Sequence, residues 1–228
     1  MLSDPTKAVT GQEAETNLVY TNGQLATHSV RRFRPKPLMD AHASVQVSVI
    51  LSTLPDLEEA TSLVRIYFRY VSWLSCVVSE QQIGEDLALL WRPHDEGITY
   101  PTAQRMALVV MALALGALFS PSRTHTSTLP QHLYHASRQL LDYGLYLRHF
   151  TLAGVQTLHL AVSFLANTRD SFMAQEGWVL LGTAGRLSQA QGLHIDGSKW
   201  KLPAEELEAR RRVFHELLTY DRLQGLSQ

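Results

Sequence analysis

Cysteine is almost absent from this chain of 228 residues, which carries only Cys76. A single thiol excludes an internal disulfide framework and suits a reducing compartment. It also excludes a cysteine-based zinc cluster, because such a cluster needs several thiolate ligands. We therefore expect no zinc and no other cofactor to be bound by the chain itself.

The sequence also lacks an excess of charge and any clear targeting segment. Charged residues make up 18% of the chain and the net charge is -1, so the chain offers no general attraction for nucleic acid or acidic lipid. The first thirty residues lack the basic start and apolar run of a signal peptide. The longest apolar run, Met106 to Phe119, is shorter than the roughly 20 residues that span a bilayer. We expect a soluble, intracellular protein with no membrane partner.

Motifs that carry catalysis or bind a cofactor are missing as well. The sequence has no Gly-x-Ser-x-Gly elbow, no Gly-x-Gly-x-x-Gly turn and no phosphate-binding loop. The stretch that begins at His215 approaches a zinc-protease helix, but Thr219 stands where the second histidine ligand would be. His132 and His135 lie one helical turn apart, yet no third or fourth ligand is indicated. The sequence therefore predicts neither an enzyme nor a metal site.

The N-terminal part differs from the rest in composition. Residues 1–45 contain few aliphatic side chains and several glycines and prolines, so they have little apolar surface to offset the entropy of ordering. We predict a disordered tail or linker there. Its RRFRPKP stretch, at 31–37, has four basic residues, which fits either a nuclear import signal or a solvated linker.

Helical periodicity dominates from Leu54 to the end, and 45% of the chain is hydrophobic. Prolines that suit a first helical turn mark several helix starts, and the sequence predicts an all-α array of about seven helices. The run from Met106 to Phe119 is apolar on all sides, so its helix should be central. Gly182 and Gly185 suggest a close helix approach. The predicted helices cover Pro55 to Leu74, Gln81 to Trp91, a third from Pro101, a fourth from Pro130, Leu152 to Ala166, Trp178 to Gln191, and a seventh from Pro203.

The segment from Gly192 onward combines a helix stop with a charged helix. Gly192 is predicted to end a helix in the left-handed conformation, with Leu193 as its apolar partner. In the following helix, Arg210 and Asp221 lie on rows that adjoin apolar positions. We therefore expect both charges to lie near the buried boundary and to be paired there, with structural rather than chemical roles.

Two parts of this segment, GLHID at 192–196 and the Arg-rich helix that closes on Asp-Arg, carry a resemblance to a known family. Together with the Leu-Pro entry segment and the central apolar helix, they cover Leu54 to Leu226 in the family's order. The chain resembles the regulatory "middle homology" domain of fungal binuclear zinc-cluster transcription factors. The matching residues, to which the resemblance gives structural roles, are Gly192, Leu193, His194, Asp196, Arg210, Arg211, Arg212, Asp221 and Arg222.

The resemblance implies a nuclear, non-enzymatic domain, here 54–228, that controls transcription through intramolecular or partner contacts. In this family DNA and zinc are bound by an upstream six-cysteine cluster, which this chain lacks. The Gly-Arg-Pro that follows the Asp-Arg helix is also missing, so the domain is expected to be truncated at its C-terminus. A fragment, a truncated gene model and a natural short form all fit. Protein partners, a homodimer and a small-molecule effector remain open, and a small-molecule-sensing helical domain is the alternative function.

Overall fold

The computed structural model divides into two units, Met1–Pro37 and Leu38–Gln228, which are described separately. In the first unit, strands β1 (Asn17–Thr21) and β2 (Gln24–His28) form an antiparallel hairpin. This hairpin was not predicted, although the sequence Asn-Gly between two short runs is a strong hairpin signal. The rest of the predicted tail up to residue 37 lies outside the described residues, as does the 31–37 basic stretch. The structure describes residues 17–21, 24–28, 38–73, 75–94, 97–121, 127–168, 171–200 and 202–225.

The second unit confirms the all-α fold class. Its described residues form eight α-helices, with short 3-10 turns at Ala88–Leu90 and Gly197–Trp200. The helices are α1 (Ala41–Ser52), α2 (Leu57–Tyr70), α3 (Glu80–Leu87), α4 (Tyr100–Leu118), α5 (Leu129–Tyr143), α6 (Leu152–Ala166), α7 (Ser171–Ala190) and α8 (Ala204–Gly225).

Helix α1 is the one that the sequence reading missed, and it begins inside the stretch assigned to the tail. Asp40 caps its start, since a carboxylate oxygen accepts the N–H of Ala43 at 2.7 Å. Only Val47 and Ile50 are buried, and no acidic residue occupies the first turn. The helix therefore shows only a weak amphipathic period, and the boundary of the tail at residue 45 was placed too late.

Most of the predicted helix starts carry a side-chain cap. Asp56, Ser79, Thr99 and Thr151 each accept a hydrogen bond from the N–H three residues further on, at 2.8 to 3.2 Å. Such a cap satisfies one of the free N–H groups of a first turn and contributes about 0.5–2 kcal/mol. These four helix starts are thus fixed by local sequence, which explains why they could be predicted. The predicted start of the sixth helix at Trp178 is wrong, because α7 begins at Ser171.

Helix α4 is the central helix, as predicted. Every residue from Met106 to Leu115 is fully buried, and the helix packs against α2, α5 and α6. By length and composition α4 could cross a membrane, but 78% of its most apolar window is buried inside the protein. The closest approach occurs at Gly116, where an added Cβ would lie 2.2 Å from the carbonyl oxygen of Leu63.

Helices α6, α7 and α8 continue the array away from α4. Helix α6 is buried from Ala153 to Leu165 and packs between α4 and α7, while α8 packs on α7 and α6. The suggested close approach at Gly182 and Gly185 is wrong, because an added Cβ at either position would meet open space. Helix α8 lies at the edge of the array, with Val213 and Leu217 as its buried residues.

Candidate functional site

The end of α7 has the geometry that the sequence predicts. Gly192 adopts a φ of +68°, and the N–H of Leu193 donates to the carbonyl of Ser188 at 2.9 Å. The N–H of Gly192 donates to the carbonyl of Gln189, also at 2.9 Å. These two bonds define a Schellman motif, and Leu193 is buried as its apolar partner.

Arg210 of α8 contacts this end of α7. Its Nη2 donates to the carbonyl oxygen of Gln191 at 2.8 Å, and its guanidinium lies 5.2 Å from the centre of the Trp200 ring. The same ring fits against Gly192, where an added Cβ would lie only 3.0 Å from it. A cation at the C-terminus of a helix is favoured by the helix dipole. Arg210 therefore joins α8, the Gly197–Trp200 turn and the end of α7.

A chain of hydrogen bonds continues from this contact into the core. The side chain of Gln191 donates to the carbonyl of Thr151 at 3.0 Å, and the Thr151 hydroxyl donates to Oε1 of Gln104 at 2.7 Å. The Gln104 amide nitrogen donates to the carbonyls of Gly144, at 2.8 Å, and His149. We call this series the Arg210–Gln104 network. It links α8, the end of α7, the start of α6, α4 and the segment after α5.

Gln104 is the residue on which this network converges, and the sequence reading did not single it out. The residue is fully buried, and buried polar groups are tolerated when they are hydrogen-bonded. Two glycines leave room for it: an added Cβ would lie 2.7 Å from Gln104 Cγ at Gly144 and 2.5 Å from Oε1 at Gly154. The sequence did place a glutamine close to the start of a run of apolar residues, which could have indicated a buried polar group. Its hydrogen-bond partners, however, lie at least forty residues further along the chain and could not be predicted.

Arg211 makes a different kind of contact, on the surface. Its Nη2 donates to Oδ1 of Asp196 at 2.7 Å, and Asp196 also accepts bonds from the N–H and hydroxyl of Ser198. The hydrogen bond from Arg211, aided by those from Ser198, lowers the pKa of Asp196 to about 2. Both side chains of the ion pair are largely exposed, so the pair contributes little to stability.

The remaining motif residues are spread around α8 and the preceding loop. The guanidinium of Arg212 lies 3.8 Å from the carboxylate of Glu208, and the exposed His194 lies with its ring 6.3 Å from that of Phe214. Asp221 and Arg222 are exposed, and neither forms an ion pair within the described part of the chain.

The expected burial of Asp221 is therefore wrong. Arg210 is half-buried as predicted, but it binds a backbone carbonyl instead of a carboxylate. The step of eleven residues from Arg210 to Asp221 corresponds to about 16 Å of helix. Over that distance α8 leaves the core, because Leu217 is its last buried residue among those described.

A buried serine–histidine pair is the feature most like a catalytic site. Ser75 Oγ lies 2.7 Å from His159 Nε2, and burial lowers the pKa of His159 to about 4. Both side chains are buried, and among the described residues the other ring nitrogen of His159 has no hydrogen-bond partner. A nucleophile of this type needs substrate access and a third group that orients the base. This pair has neither in the described part of the chain, so we interpret it as structural.

Metal-binding groups are likewise dispersed. Across the described ranges, no three histidine, cysteine, aspartate or glutamate side chains are close enough to share a metal ion. His132 instead approaches the backbone and hydroxyl oxygens of Thr53, at 3.3 and 3.2 Å. His135 lies edge-on to the Tyr134 ring.

The fold and its polar contacts thus define a helical domain in which Arg210 and Arg211 connect α8 to the end of α7 and the loop that follows it. The family profile described as "Fungal specific transcription factor domain" matches residues 65–226. The chain belongs to this family of fungal transcriptional regulators. The match includes all nine motif residues and runs from α2 to the end of α8.

Two curated proteins are similar to the chain over different lengths. An uncharacterized transcriptional regulatory protein of Schizosaccharomyces pombe is 28% identical over 187 residues, which is 79% of this chain and 23% of that protein. The pyriculol/pyriculariol biosynthesis cluster transcription factor 1 of Pyricularia oryzae is 34% identical over 65 residues, or 28% of this chain and 9% of that protein. The chain therefore spans less than a quarter of the length of either relative. No solved structure matches the chain.

Proposed function

We propose that this chain is a non-enzymatic regulatory domain that controls transcription in the nucleus through intramolecular or partner contacts. DNA binding would be supplied by a zinc cluster outside this sequence, since the chain has one cysteine and a net charge of -1. The observation that carries the proposal is the family match over 65–226. The similarity to two fungal transcriptional regulators supports it.

Helix α8 is well placed to respond to such contacts. Its described residues bury only Val213 and Leu217, whereas α4 is buried along most of its length. Elements with little buried apolar surface open at lower free-energy cost than the core. A partner that binds α8 would act on the Arg210–Gln104 network. Arg210 contacts Gln191 at the end of α7, and the network continues from there to the start of α6 and to α4. Coupling of this kind requires only that the partner bind two arrangements of α8 with different affinity.

The alternative, a small-molecule sensor, would be favoured by a deep apolar pocket with a few polar groups. A groove of about 650 Å³ lies between α3, α4, α6 and α8. Its walls carry five carboxylates, which is unlike the mostly apolar lining of small-molecule sites. We therefore favour macromolecular contacts over an enclosed effector.

A reporter assay tests the proposed function directly. The full chain, fused to a bacterial DNA-binding domain, is expected to change expression of a reporter relative to that DNA-binding domain fused to an unrelated helical protein. The unfused chain should neither bind DNA specifically across a salt titration nor retain zinc after dialysis. A fusion that behaves like its control, or an unfused chain that binds one DNA sequence at nanomolar concentration, would contradict the proposal.

A further inference from the structure

The groove between α3, α4, α6 and α8 combines an apolar floor with a charged rim. Four helices contribute to it: α4 and α6 do so near their starts, and α8 does so from Glu205 to Arg212. Its volume of about 650 Å³ is comparable to that of sites that hold several side chains or one organic molecule. The apolar lining includes Val77, Pro101, Leu152, Ala153, Pro203 and Ala209.

The charge of the groove is strongly one-sided. Five carboxylates and two guanidinium groups line it, which leaves a net of three negative charges. Each of the two arginines already has an acidic partner: Arg105 binds the buried Asp86, and Arg212 lies 3.8 Å from Glu208.

Among the described residues, three carboxylates of the rim form no close ion pair, although Arg210 of the same helix attracts one of them, Glu206, electrostatically. Glu85, Glu205 and Glu206 form no ion pair with lysine or arginine in the part of the chain that the structure describes. All three are exposed. Glu85 belongs to α3 and the other two to the first turn of α8, so negative charge lines two sides of the groove.

We propose that this groove docks a basic peptide segment of a partner protein. Arginine and lysine fit both features, because their aliphatic stems cover apolar surface while their charged ends reach carboxylates. Carboxylates on two walls favour a ligand with several separated cations over a single small amine. They also repel phosphate, which disfavours nucleic acid in this groove. The inference rests on the proposed regulatory function and names the chemistry of the contact through which it would act.

A peptide-binding titration with the full chain tests this proposal. The probe is a fluorescein-labelled short peptide of alternating arginine and leucine, followed by fluorescence anisotropy at low salt. The matched control peptide carries citrulline in place of arginine, which keeps the shape and removes the charge. The test variant is the double substitution Glu205→Gln and Glu206→Gln. The control variant is Glu58→Gln with Glu59→Gln, an acidic pair in the first turn of α2, outside this groove.

Removing the α8 pair should weaken binding roughly five- to twentyfold, since each exposed ion pair contributes up to about 1 kcal/mol. The α2 pair should leave the affinity unchanged, and added salt should weaken binding to the unmodified chain. Absence of saturable binding, equal binding of the citrulline peptide, or equal weakening by both variants would overturn the proposal. The reporter assay does not depend on this peptide. The titration therefore tests peptide docking in the groove, and the reporter assay separately tests the regulatory function.

Discussion

Replacing Arg210 tests whether the signature helix is held in place by its contact with the end of α7. In Arg210→Ala the hydrogen bond to the Gln191 carbonyl and the contact with the Trp200 ring are both lost. The backbone of α8 is unaffected, because alanine favours helix. The substitution therefore removes one end of the Arg210–Gln104 network without disturbing the local structure of the helix.

The expected loss of stability follows from these two contacts. A hydrogen bond from a charged donor contributes about 1.5–3 kcal/mol, and a cation over an aromatic ring adds about 0.5–1 kcal/mol at an exposed site. Arg210 is only half-buried, so solvent screens part of both interactions. We expect a loss of about 2 kcal/mol in the free energy of unfolding. For a domain of this size, that corresponds to a fall in Tm of about 4–8 °C.

Urea denaturation of the full chain, followed by tryptophan fluorescence and circular dichroism, measures this loss. Arg211→Ala is the matched control, because the neighbouring arginine forms only an exposed pair with Asp196 and should change stability little. Asp221→Ala is a second control, since Asp221 is exposed. If Arg210→Ala unfolds at the same urea midpoint as the two controls, the contact with α7 contributes nothing, and a role for Arg210 in partner binding becomes the better account.

Two further predictions concern the core. Gly116→Ala should destabilise the domain by about 1–3 kcal/mol, because the new Cβ would lie 2.2 Å from the Leu63 carbonyl oxygen. In the control Gly182→Ala the new Cβ meets open space, so this substitution should stabilise the domain by up to about 1 kcal/mol. Equal urea midpoints for the two variants would refute the close packing of α2 on α4. The pKa of His159 is lowered to about 4 by burial, so below about pH 6.5 the unfolded chain binds a proton that the folded chain does not, and stability falls with pH by up to about 1.4 kcal/mol per unit until about pH 4. His159→Gln should therefore lose less stability between pH 7 and pH 5 than the unmodified chain, and identical pH profiles would contradict this reasoning.

Local signals explain which parts of the structure could be predicted. The Schellman end at Gly192 depends on a few neighbouring residues, and from Met106 onward α4 is so uniformly apolar that its burial follows from composition alone. Helix α1 was missed because it buries only two residues and has no acidic residue in its first turn and no basic residue in its last. Its cap, Asp40, was the one clear sign of its start.

Contacts between distant elements were predicted poorly, because they depend on how helices come together. The sequence places Arg210 near the core but does not show that Trp200 and Gln191 meet it there. It also suggested close packing at Gly182, whereas the structure has that packing at Gly116. Apart from Trp200, the neighbours of Arg210 and Gly116 named here lie more than fifteen residues away along the chain. Helical periodicity reveals neither such neighbours nor the lack of one at Gly182.

The fit of Gln104 between two glycines restricts which amino acids this domain accepts over evolutionary time. An alanine at Gly144 or Gly154 would clash with the Gln104 side chain, while a smaller residue at 104 would leave Thr151 and two carbonyl groups without their partner. Changes at these three positions should therefore be tolerated together more readily than one at a time, as contacting residues show large coupling energies. A glycine retained at 144 or 154 in another chain should accompany a long amide side chain at 104, and this dependence links α4 with the end of α5 and the start of α6, at least forty residues further along the chain.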